Sequence, residues 1–267
     1  MEQSWKTIAI QAAIHAGEAI MEVYKRDFQV NYKGDNSPLT EADLKAHDII
    51  SEALAKTNIP ILSEEGSAVG YRERKSWKKF WMVDPLDGTK EFVNRNDEFA
   101  VNITLIVHNK PVFGVIYAPV TKTIYAGGSI EKASYKMSNP PISLTWLSFL
   151  KDASTLSRKL KPYTELKSVR VVTSRSYLNE DTHAFINALE EEGKNTVLVP
   201  SGSSLKFCRI AEGEADVYPR FGPCMEWDTA AGDAICEGVG ISIFMAHTTK
   251  RLLYNKESLF SPNFVSH

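Results

Sequence analysis

The spacing of apolar residues predicts two helices near the start of the chain. Apolar positions recur every three or four residues over roughly the first 24 positions, the period of one helix face. They are Trp5, Ile8, Ala12, Ala16, Ala19 and Val23. A second helix is predicted to begin near Thr40, because Thr40 and Asp43 have the spacing of a capping box. Its apolar period continues through Leu44, His47, Ile50 and Leu54.

Short apolar runs further along predict strands, two of which lead into acidic residues. Residues 60–62 precede Ser63-Glu64-Glu65, and residues 80–83 precede Asp84. From 99 to 127, three runs rich in β-branched and aromatic residues predict an antiparallel meander. The polar segment 129–165, interrupted by two prolines, is predicted to be an irregular linker.

The pattern changes after this segment to an alternation of strands and helices. Strands are predicted at VRVVTS, TVLVP, ADVYPR and GISIF, with helices near 180–192, near 204–212 and from about Asp228. This order favours an α+β half, residues 1–165, followed by an α/β half, residues 166–267.

Composition limits the class of protein. The 267 residues, 43% of them hydrophobic, are enough for one or two globular domains with a sizeable core. The formal net charge of -2 makes duplex nucleic acid an unexpected partner. Three cysteines without a CxxC spacing predict free thiols in a reducing compartment. The N-terminus lacks a signal-peptide pattern and no run is apolar enough to span a membrane, so we expect a cytoplasmic protein.

Acidic residues at strand ends suggest a metal site. Asp84 and Asp87 lie three residues apart in WMVDPLDGT, although Asp, Pro and Gly also suit a tight surface turn. Glu64 and Glu65 follow another strand. Asp228 precedes TAAG, and taken by itself it is explained as the N-cap residue of a helix. Acids without a convincing His or Cys cluster favour a hard cation such as Mg²⁺.

Two further groups of polar residues are candidates for chemistry. Asp43 either accepts helix N-terminal amides or, with Thr89, orients and deprotonates a metal-bound water. The segment SGSSLK, residues 201–206, is either a phosphate-binding helix start with Lys206 as a cation or an ordinary turn with a solvated lysine. Arg220 ends a strand eight residues before Asp228, where a solvated side chain is the usual finding.

These motifs resemble the inositol monophosphatase superfamily of lithium-sensitive, metal-dependent phosphatases. Residues 81–89 match W-x-(V/I)-D-P-(I/L)-D-G-T, residues 227–232 match W-D-x-A-A-G, and Glu64-Glu65 matches the E-E element. The stretch 201–232, the LSEE segment and the C-terminal LLYNKESLFSPNFV are similar to the CysQ-type branch, the 3'(2'),5'-bisphosphate nucleotidases. Segment 129–165 departs from that pattern.

The resemblance implies a fold and an activity. The fold would be a layered αβαβα sandwich of the sugar phosphatase type. The activity would be Mg²⁺-dependent hydrolysis of 3'-phosphoadenosine 5'-phosphate (PAP) to AMP and phosphate, in sulfate assimilation. It further implies inhibition by Li⁺, and it allows a homodimer and peripheral attachment at the inner membrane face. The alternatives are an inositol monophosphatase or another sugar phosphatase of the superfamily, or a non-catalytic metal- or nucleotide-binding protein.

The resemblance also assigns roles to individual residues. Glu64, Asp84 and the Leu86 carbonyl would hold one Mg²⁺; Asp84, Asp87 and Asp228 would hold a second, and a third would bind weakly at Glu64. Thr89 and Asp43 would activate the water, and Gly88 and Thr89 would direct amides at the phosphate. Residues 33–35 would lie in a mobile loop over the site. The nucleotide would contact Gly202, Ser203, Lys206 and Arg220.

Overall fold

A computed structural model describes residues 2–34, 36–156, 162–175 and 178–266, and its first two helices are those predicted from the sequence. Helix α1 covers Glu2–Tyr24 and α2 covers Glu41–Ala55. Thr40 and Asp43 form the predicted capping box at the start of α2. Leu44 is 46% exposed, so its assignment to the apolar face was wrong. The buried stripe runs instead through Ala42, Ala46, Ile50 and Leu54, and Leu44 projects from the far side of the helix.

The central element is a seven-stranded sheet whose strands follow the order of the chain. It contains β3 (Ile61–Ser63), β4 (Lys79–Asp87), β5 (Ala100–Val107), β6 (Lys110–Ala118), β7 (Thr123–Gly128), β8 (Ala133–Ser138) and β9 (Ser154–Leu156). β3 pairs parallel with β4, and every later neighbour pairs antiparallel. The predicted meander is confirmed for β5, β6 and β7. Two short strands, β1 (Val30–Tyr32) and β2 (Pro38–Thr40), form a separate hairpin before α2.

The prediction that 129–165 is an irregular linker was wrong. It contributes β8 and β9 to the sheet, together with α5 (Trp146–Asp152) and a 3₁₀ turn (Tyr163–Glu165). Its prolines mark only the turn after β8, and its aromatic residues anchor it to the core. The Trp146 ring centroid lies 5.3 Å from that of Phe113 on β6. Residues 157–161 of the segment lie outside the described residues.

The second half follows the predicted alternation of strands and helices. It comprises β10 (Ser168–Ser174), α6 (Glu180–Glu191), β11 (Asn195–Ser201), α7 (Leu205–Ala211), β12 (Tyr218–Arg220), α8 (Glu226–Gly238), β13 (Ile243–Met245) and β14 (Phe264–Ser266). β10 and β11 form a parallel pair, while β14 pairs antiparallel with both β12 and β13. The short helices α3 (Tyr71–Arg74) and α4 (Thr89–Val93), like β14, were not predicted.

Two apolar layers hold the sheet between helices. One core packs α1, α2 and α5 against one face of the seven-stranded sheet, with Trp81 and Phe113 at its centre. The other packs α7 and α8 against the opposite face, and it combines Phe80 of β4 with Ile235 of α8. A third, smaller core lies between α6 and β10. The resulting order of layers, αβαβα, confirms the predicted fold class. The division of the chain at residue 165 stays a prediction.

Two remaining predictions concern thiols and membranes. Cys208, Cys224 and Cys236 are all free and buried, as expected. Among the described residues, none of the helices combines the length and the apolar character that crossing a bilayer requires.

Candidate active site

The acidic residues singled out from the sequence meet at one edge of the sheet. β3 and β4 pair in parallel with Ser63 opposite Val83, so the next residues, Glu64 and Asp84, lie side by side. Asp228, in the first turn of α8, completes the group. One carboxylate oxygen each from Glu64, Asp84 and Asp228 lies within 4.8 Å of the other two. We call these three residues the carboxylate cluster. The arrangement excludes the explanation that Asp84 belongs to a solvated turn, because Asp84 is only 1% exposed.

The sequence Asp-Pro-Leu-Asp-Gly creates a local irregularity that turns both aspartates toward this edge. The pairing of β4 with β5 shifts register between Asp84 and Asp87. The Leu86 N–H donates to Asp84 Oδ1 at 3.1 Å, and the Leu86 carbonyl accepts from Thr89 Oγ1 at 3.2 Å. Gly88 has a φ of 93°, which a residue with a side chain rarely adopts. The motif therefore ends β4 and starts α4 within two residues.

Burial and mutual repulsion disfavour the ionised forms of the cluster. Both effects raise the pKa of Asp228 to about 8. They raise the pKa of Asp84 well above its usual range, where Glu64 is the strongest of the repelling charges. The pKa of Glu64 is also raised, mainly by burial. Converging carboxylates that cannot all ionise by themselves are suited to a divalent cation, and purely oxygen donors fit Mg²⁺. No described His or Cys belongs to the cluster.

Asp87 borders the cluster but has protein partners of its own. Its Oδ2 accepts the hydroxyl of Ser203 at 2.7 Å, the N–H of Ser204, and Asn102 Nδ2 at 3.3 Å. Ser204 Oγ in turn donates to Asn102 Oδ1 at 2.7 Å. Asp87, at the end of β4, is thus hydrogen-bonded to the two residues that precede α7. The sequence analysis missed Asn102 and Ser204, although an asparagine inside the apolar run FAVNITLIV was an available signal.

Both interpretations of Asp43 hold at once, through different oxygens. Asp43 Oδ2 accepts the N–H and the hydroxyl of Thr40, each at 2.7 Å, and so caps α2. Asp43 Oδ1 accepts the hydroxyl of Thr89 at 3.1 Å. Burial raises the pKa of Asp43. The capping bonds hold one oxygen in place, and the other oxygen remains available to Thr89.

Lys33 lies beside the cluster, at the end of the β1–β2 hairpin. Its Nζ donates to Glu64 Oε1 at 2.7 Å and also to Glu65. The loop predicted to cover the site therefore reaches it through Lys33, while Asp35, in the same predicted loop, lies outside the described residues. The second acid of the E-E pair bonds to this lysine and is not a member of the cluster.

A cavity of about 630 Å³, which we call the site cavity, opens beside Asp87 and Asp228. Among the residues predicted to bind substrate, it is lined by Asp87, Gly88, Ser203, Lys206, Arg220 and Asp228. It is also lined by residues that the sequence analysis did not select, including Asn179, Thr182, Phe221 and Cys224. The sequence contains little indication of these four residues, because α6 and the loop after β12 are distant from the acidic motifs in sequence and come close to them only on folding.

The two predicted cationic residues, Lys206 and Arg220, line this cavity. Lys206 is 6% exposed, which excludes a solvated turn lysine. Its Nζ lies 5.9 Å from the ring centroid of Tyr218. Burial, reinforced by the charge of Arg220, lowers the pKa of Lys206 to about 8. Arg220 Nη2 donates to the Pro223 carbonyl at 2.9 Å, and its buried Nε has no hydrogen-bond partner among the described residues.

Gly202 does not line the cavity. A Cβ at this position would lie 2.8 Å from Glu98 Cβ. The absence of a side chain at Gly202 therefore allows the chain after β11 to pack closely against Glu98. The predicted helix start near Ser204 is confirmed, because α7 begins at Leu205 with Ser204 as its N-cap residue.

The position of α8, and with it Asp228, is fixed by a network of buried polar groups. The Glu226 carboxylate is 1% exposed and accepts the N–H groups of Asn255 and Lys256 as well as Lys256 Nζ. Arg74 donates to Asn255 Oδ1 at 2.9 Å from the other side. Asp228 Oδ2 accepts the Met225 N–H at 2.8 Å, so it occupies the third helical position and not the predicted N-cap.

The sequence pattern of the inositol monophosphatase family matches residues 1–265. The chain belongs to this family. It is 40% identical over 259 residues to the 3'(2'),5'-bisphosphate nucleotidase CysQ of Shigella flexneri, covering 95% of this chain and 96% of that protein. The crystal structure of CysQ from Bacteroides thetaiotaomicron matches with a TM-score of 0.88 and 42% identity, covering 99% of this chain and 97% of that chain.

More distant structures share the fold. The extragenic suppressor protein suhB of Bartonella henselae matches with a TM-score of 0.73 at 21% identity, covering 98% of this chain and 93% of that chain. The predicted resemblance to the CysQ-type branch is confirmed by the relatives, and with it the expectation of a phosphatase-family enzyme of the bisphosphate nucleotidase type.

Proposed function

We propose that this protein hydrolyses the 3'-phosphate of PAP to give AMP and phosphate, in a Mg²⁺-dependent reaction that recycles PAP during sulfate assimilation. The observation that carries the proposal is a single cavity lined both by acidic residues and by two cationic side chains. Lys206 and Arg220 line the cavity together with Asp87 and Asp228. A bisphosphate needs a cationic partner for its second phosphate, away from the acids. CysQ relatives at about 40% identity support the same substrate class.

The residues at the sheet edge suit Mg²⁺ binding. Glu64, Asp84 and the Leu86 carbonyl would hold one ion; Asp84, Asp87 and Asp228 would hold a second, and a third would bind at Glu64. Mg²⁺ held by these residues would lower the pKa of a water molecule and neutralise charge on the phosphoryl oxygens. Lys33 Nζ donates to Glu64 and Glu65, so an ion at the third position would compete with Lys33 for the Glu64 carboxylate.

Thr89 and Asp43 are placed to take the proton from the nucleophilic water. The single proton of the Thr89 hydroxyl points to Asp43 Oδ1 and the Leu86 carbonyl, so the lone pairs of the Thr89 oxygen are not used by these bonds. One lone pair can accept a hydrogen of the water while the threonine proton passes to Asp43. Because burial raises the pKa of Asp43, this carboxylate is a better base than an exposed aspartate. No covalent intermediate is required.

The phosphate groups would be held by different parts of the site. Gly88 and Thr89, which follow Asp87 at the start of α4, would direct their amides at the phosphate that is cleaved. Lys206 and Arg220, with Ser203 nearby, suit the phosphate that stays on the product. PAP would use both parts of the site, because it has two phosphates. Inositol monophosphate has a single phosphate and would leave Lys206 and Arg220 without a partner.

The proposal is tested by phosphate release from PAP in the presence of Mg²⁺. We expect turnover by the wild type and none by Asp87→Asn, provided that the variant keeps its circular dichroism spectrum. Turnover of inositol 1-phosphate in preference to PAP would favour the inositol monophosphatase alternative. Binding of Mg²⁺ and PAP without release of phosphate would favour a non-catalytic protein. Inhibition by Li⁺, a cytoplasmic location with peripheral attachment to the inner membrane face, and a homodimer stay predictions.

A further inference from the structure

Phe221 separates two cavities. It lines the site cavity, and it also lines a second cavity of about 700 Å³ on its other side. That second cavity is largely aromatic, with Tyr163, Phe185 and His247 in its wall. Phe221 is therefore the one aromatic ring that these two cavities share among the described residues.

Neighbouring groups hold Phe221 in place. Its ring centroid lies 5.9 Å from that of Phe185 and 6.3 Å from that of His247, which is nearly parallel to it at 18°. The Phe221 carbonyl accepts Asn179 Nδ2 at 2.7 Å. Asn179 is itself fixed as the N-cap of α6. A ring supported by two other rings and by a fixed backbone loses little conformational entropy when a ligand packs against it.

Phe221 follows Arg220 directly in the chain, and both residues line the site cavity together with Lys206. A ligand whose phosphate is bound by Lys206 and Arg220 therefore has its adjoining group within reach of Phe221. Inositol and sugar phosphates present hydroxyl groups on every side, and an apolar ring offers those hydroxyls no hydrogen bond. A nucleotide presents a flat aromatic base, which stacks on such a ring whatever its hydrogen-bonding pattern.

We propose that Phe221 is the stacking surface for the base of the nucleotide, and that it determines the preference for bisphosphorylated nucleotides over base-free phosphates. The inference rests on the proposed function. Replacing an aromatic side chain on which one base stacks with alanine lowers the binding affinity about 5- to 150-fold. The effect is expected in KM, because the base lies away from the bond that breaks.

The test compares ligands with and without a base in Phe221→Ala and Phe221→Tyr. In Phe221→Ala we expect KM for PAP and the inhibition constant of AMP to rise about 5- to 150-fold, with kcat nearly unchanged. Inhibition by inorganic phosphate, a product without a base, should stay as in the wild type. Phe221→Tyr keeps the ring and should retain near wild-type constants. Phe221→Leu, which preserves apolar volume, replaces the alanine variant if that variant does not fold.

A matched control is Phe185→Leu, because Phe185 supports Phe221 but does not line the site cavity. We expect less than about a twofold change in KM for PAP, since the stacking face itself is preserved. Equal loss of AMP and phosphate inhibition in Phe221→Ala, an unchanged KM for PAP, or an equally large effect of Phe185→Leu would overturn the inference. Failure of the wild type to hydrolyse PAP would overturn the proposed function instead, and AMP binding measured by calorimetry would then decide on Phe221 separately.

Discussion

Replacing Asp228 with asparagine should stabilise the metal-free protein at pH 8 while abolishing activity. Asp228 is packed against Asp84 and Glu64, and burial with repulsion raises its pKa from 3.8 to about 8. If the whole shift appeared as stability it would amount to about 6 kcal/mol, at about 1.4 kcal/mol for each pKa unit. Asp228 retains some exposure and shares the repulsion with its neighbours, so we expect about 2–3 kcal/mol.

The sign follows from proton binding. The folded protein holds this proton up to about pH 8, whereas the unfolded chain releases it near pH 4. The contribution of Asp228 to stability is therefore fully present below about pH 4 and is lost as the pH rises toward 8. Asparagine does not titrate, so the difference between variant and wild type should grow between pH 5.5 and pH 8. Asparagine can still accept the Met225 N–H, which preserves the start of α8.

The assay is urea unfolding in EDTA at both pH values, repeated with Mg²⁺. Mg²⁺ should stabilise the wild type more at pH 8 than at pH 5.5, and the variant little at either. A matched control is Asp233→Asn on the same helix, because Asp233 is buried but bonds to Tyr254 and Arg251, away from the cluster. That variant should keep its response to Mg²⁺. The reasoning is refuted if metal-free Asp228→Asn is no more stable than the wild type at pH 8, or if Mg²⁺ stabilises both proteins equally.

Three further substitutions test other parts of the site. Lys206→Ala should raise KM for PAP much more than KM for a monophosphate, because it removes the partner of the second phosphate; equal changes in steady-state kinetics would contradict this. Thr89→Ala should lower kcat for PAP by about 10²- to 10⁴-fold with little change in KM, since it interrupts proton transfer to Asp43, and a KM effect alone would refute that role. Glu226→Ala should lower the free energy of unfolding in urea by about 2–4 kcal/mol, since it leaves Lys256 and two N–H groups without their acceptor. A loss below about 0.5 kcal/mol, the range of ordinary surface substitutions, would show that this network does not hold α8.

Local sequence signals were sufficient where one short segment determines the structure. The capping box at Thr40 and Asp43 and the alternating runs of the meander each specify their element through neighbours in the chain. The Asp-Pro-Leu-Asp-Gly segment likewise suggested a turn or a metal site directly after the strand predicted at 80–83. Asp84 and Asp87 could be placed together from the sequence alone, because they share that segment.

The features that were missed depend on contacts between distant segments. Segment 129–165 looked irregular because β8 is short and polar, and its place in the sheet comes from pairing with β7. The sequence left Lys206 as either a phosphate-binding cation or a solvated turn residue, and only its burial in the fold excludes the second. Phe221 belongs to no recognised motif. It lines two cavities only because α6 and the loop at His247 lie next to it in the folded chain.

The central claim is that the site prefers a nucleotide with two phosphates. The measurement that tests it most directly is phosphate release at a fixed Mg²⁺ concentration from four compounds: PAP, 3'-phosphoadenylyl sulfate, inositol 1-phosphate and fructose 1,6-bisphosphate. We expect kcat/KM to be highest for a 3'-phosphoadenosine compound and far lower for the two compounds without a base, and we expect EDTA to abolish turnover. A higher kcat/KM for inositol 1-phosphate or fructose 1,6-bisphosphate than for PAP would contradict the central claim.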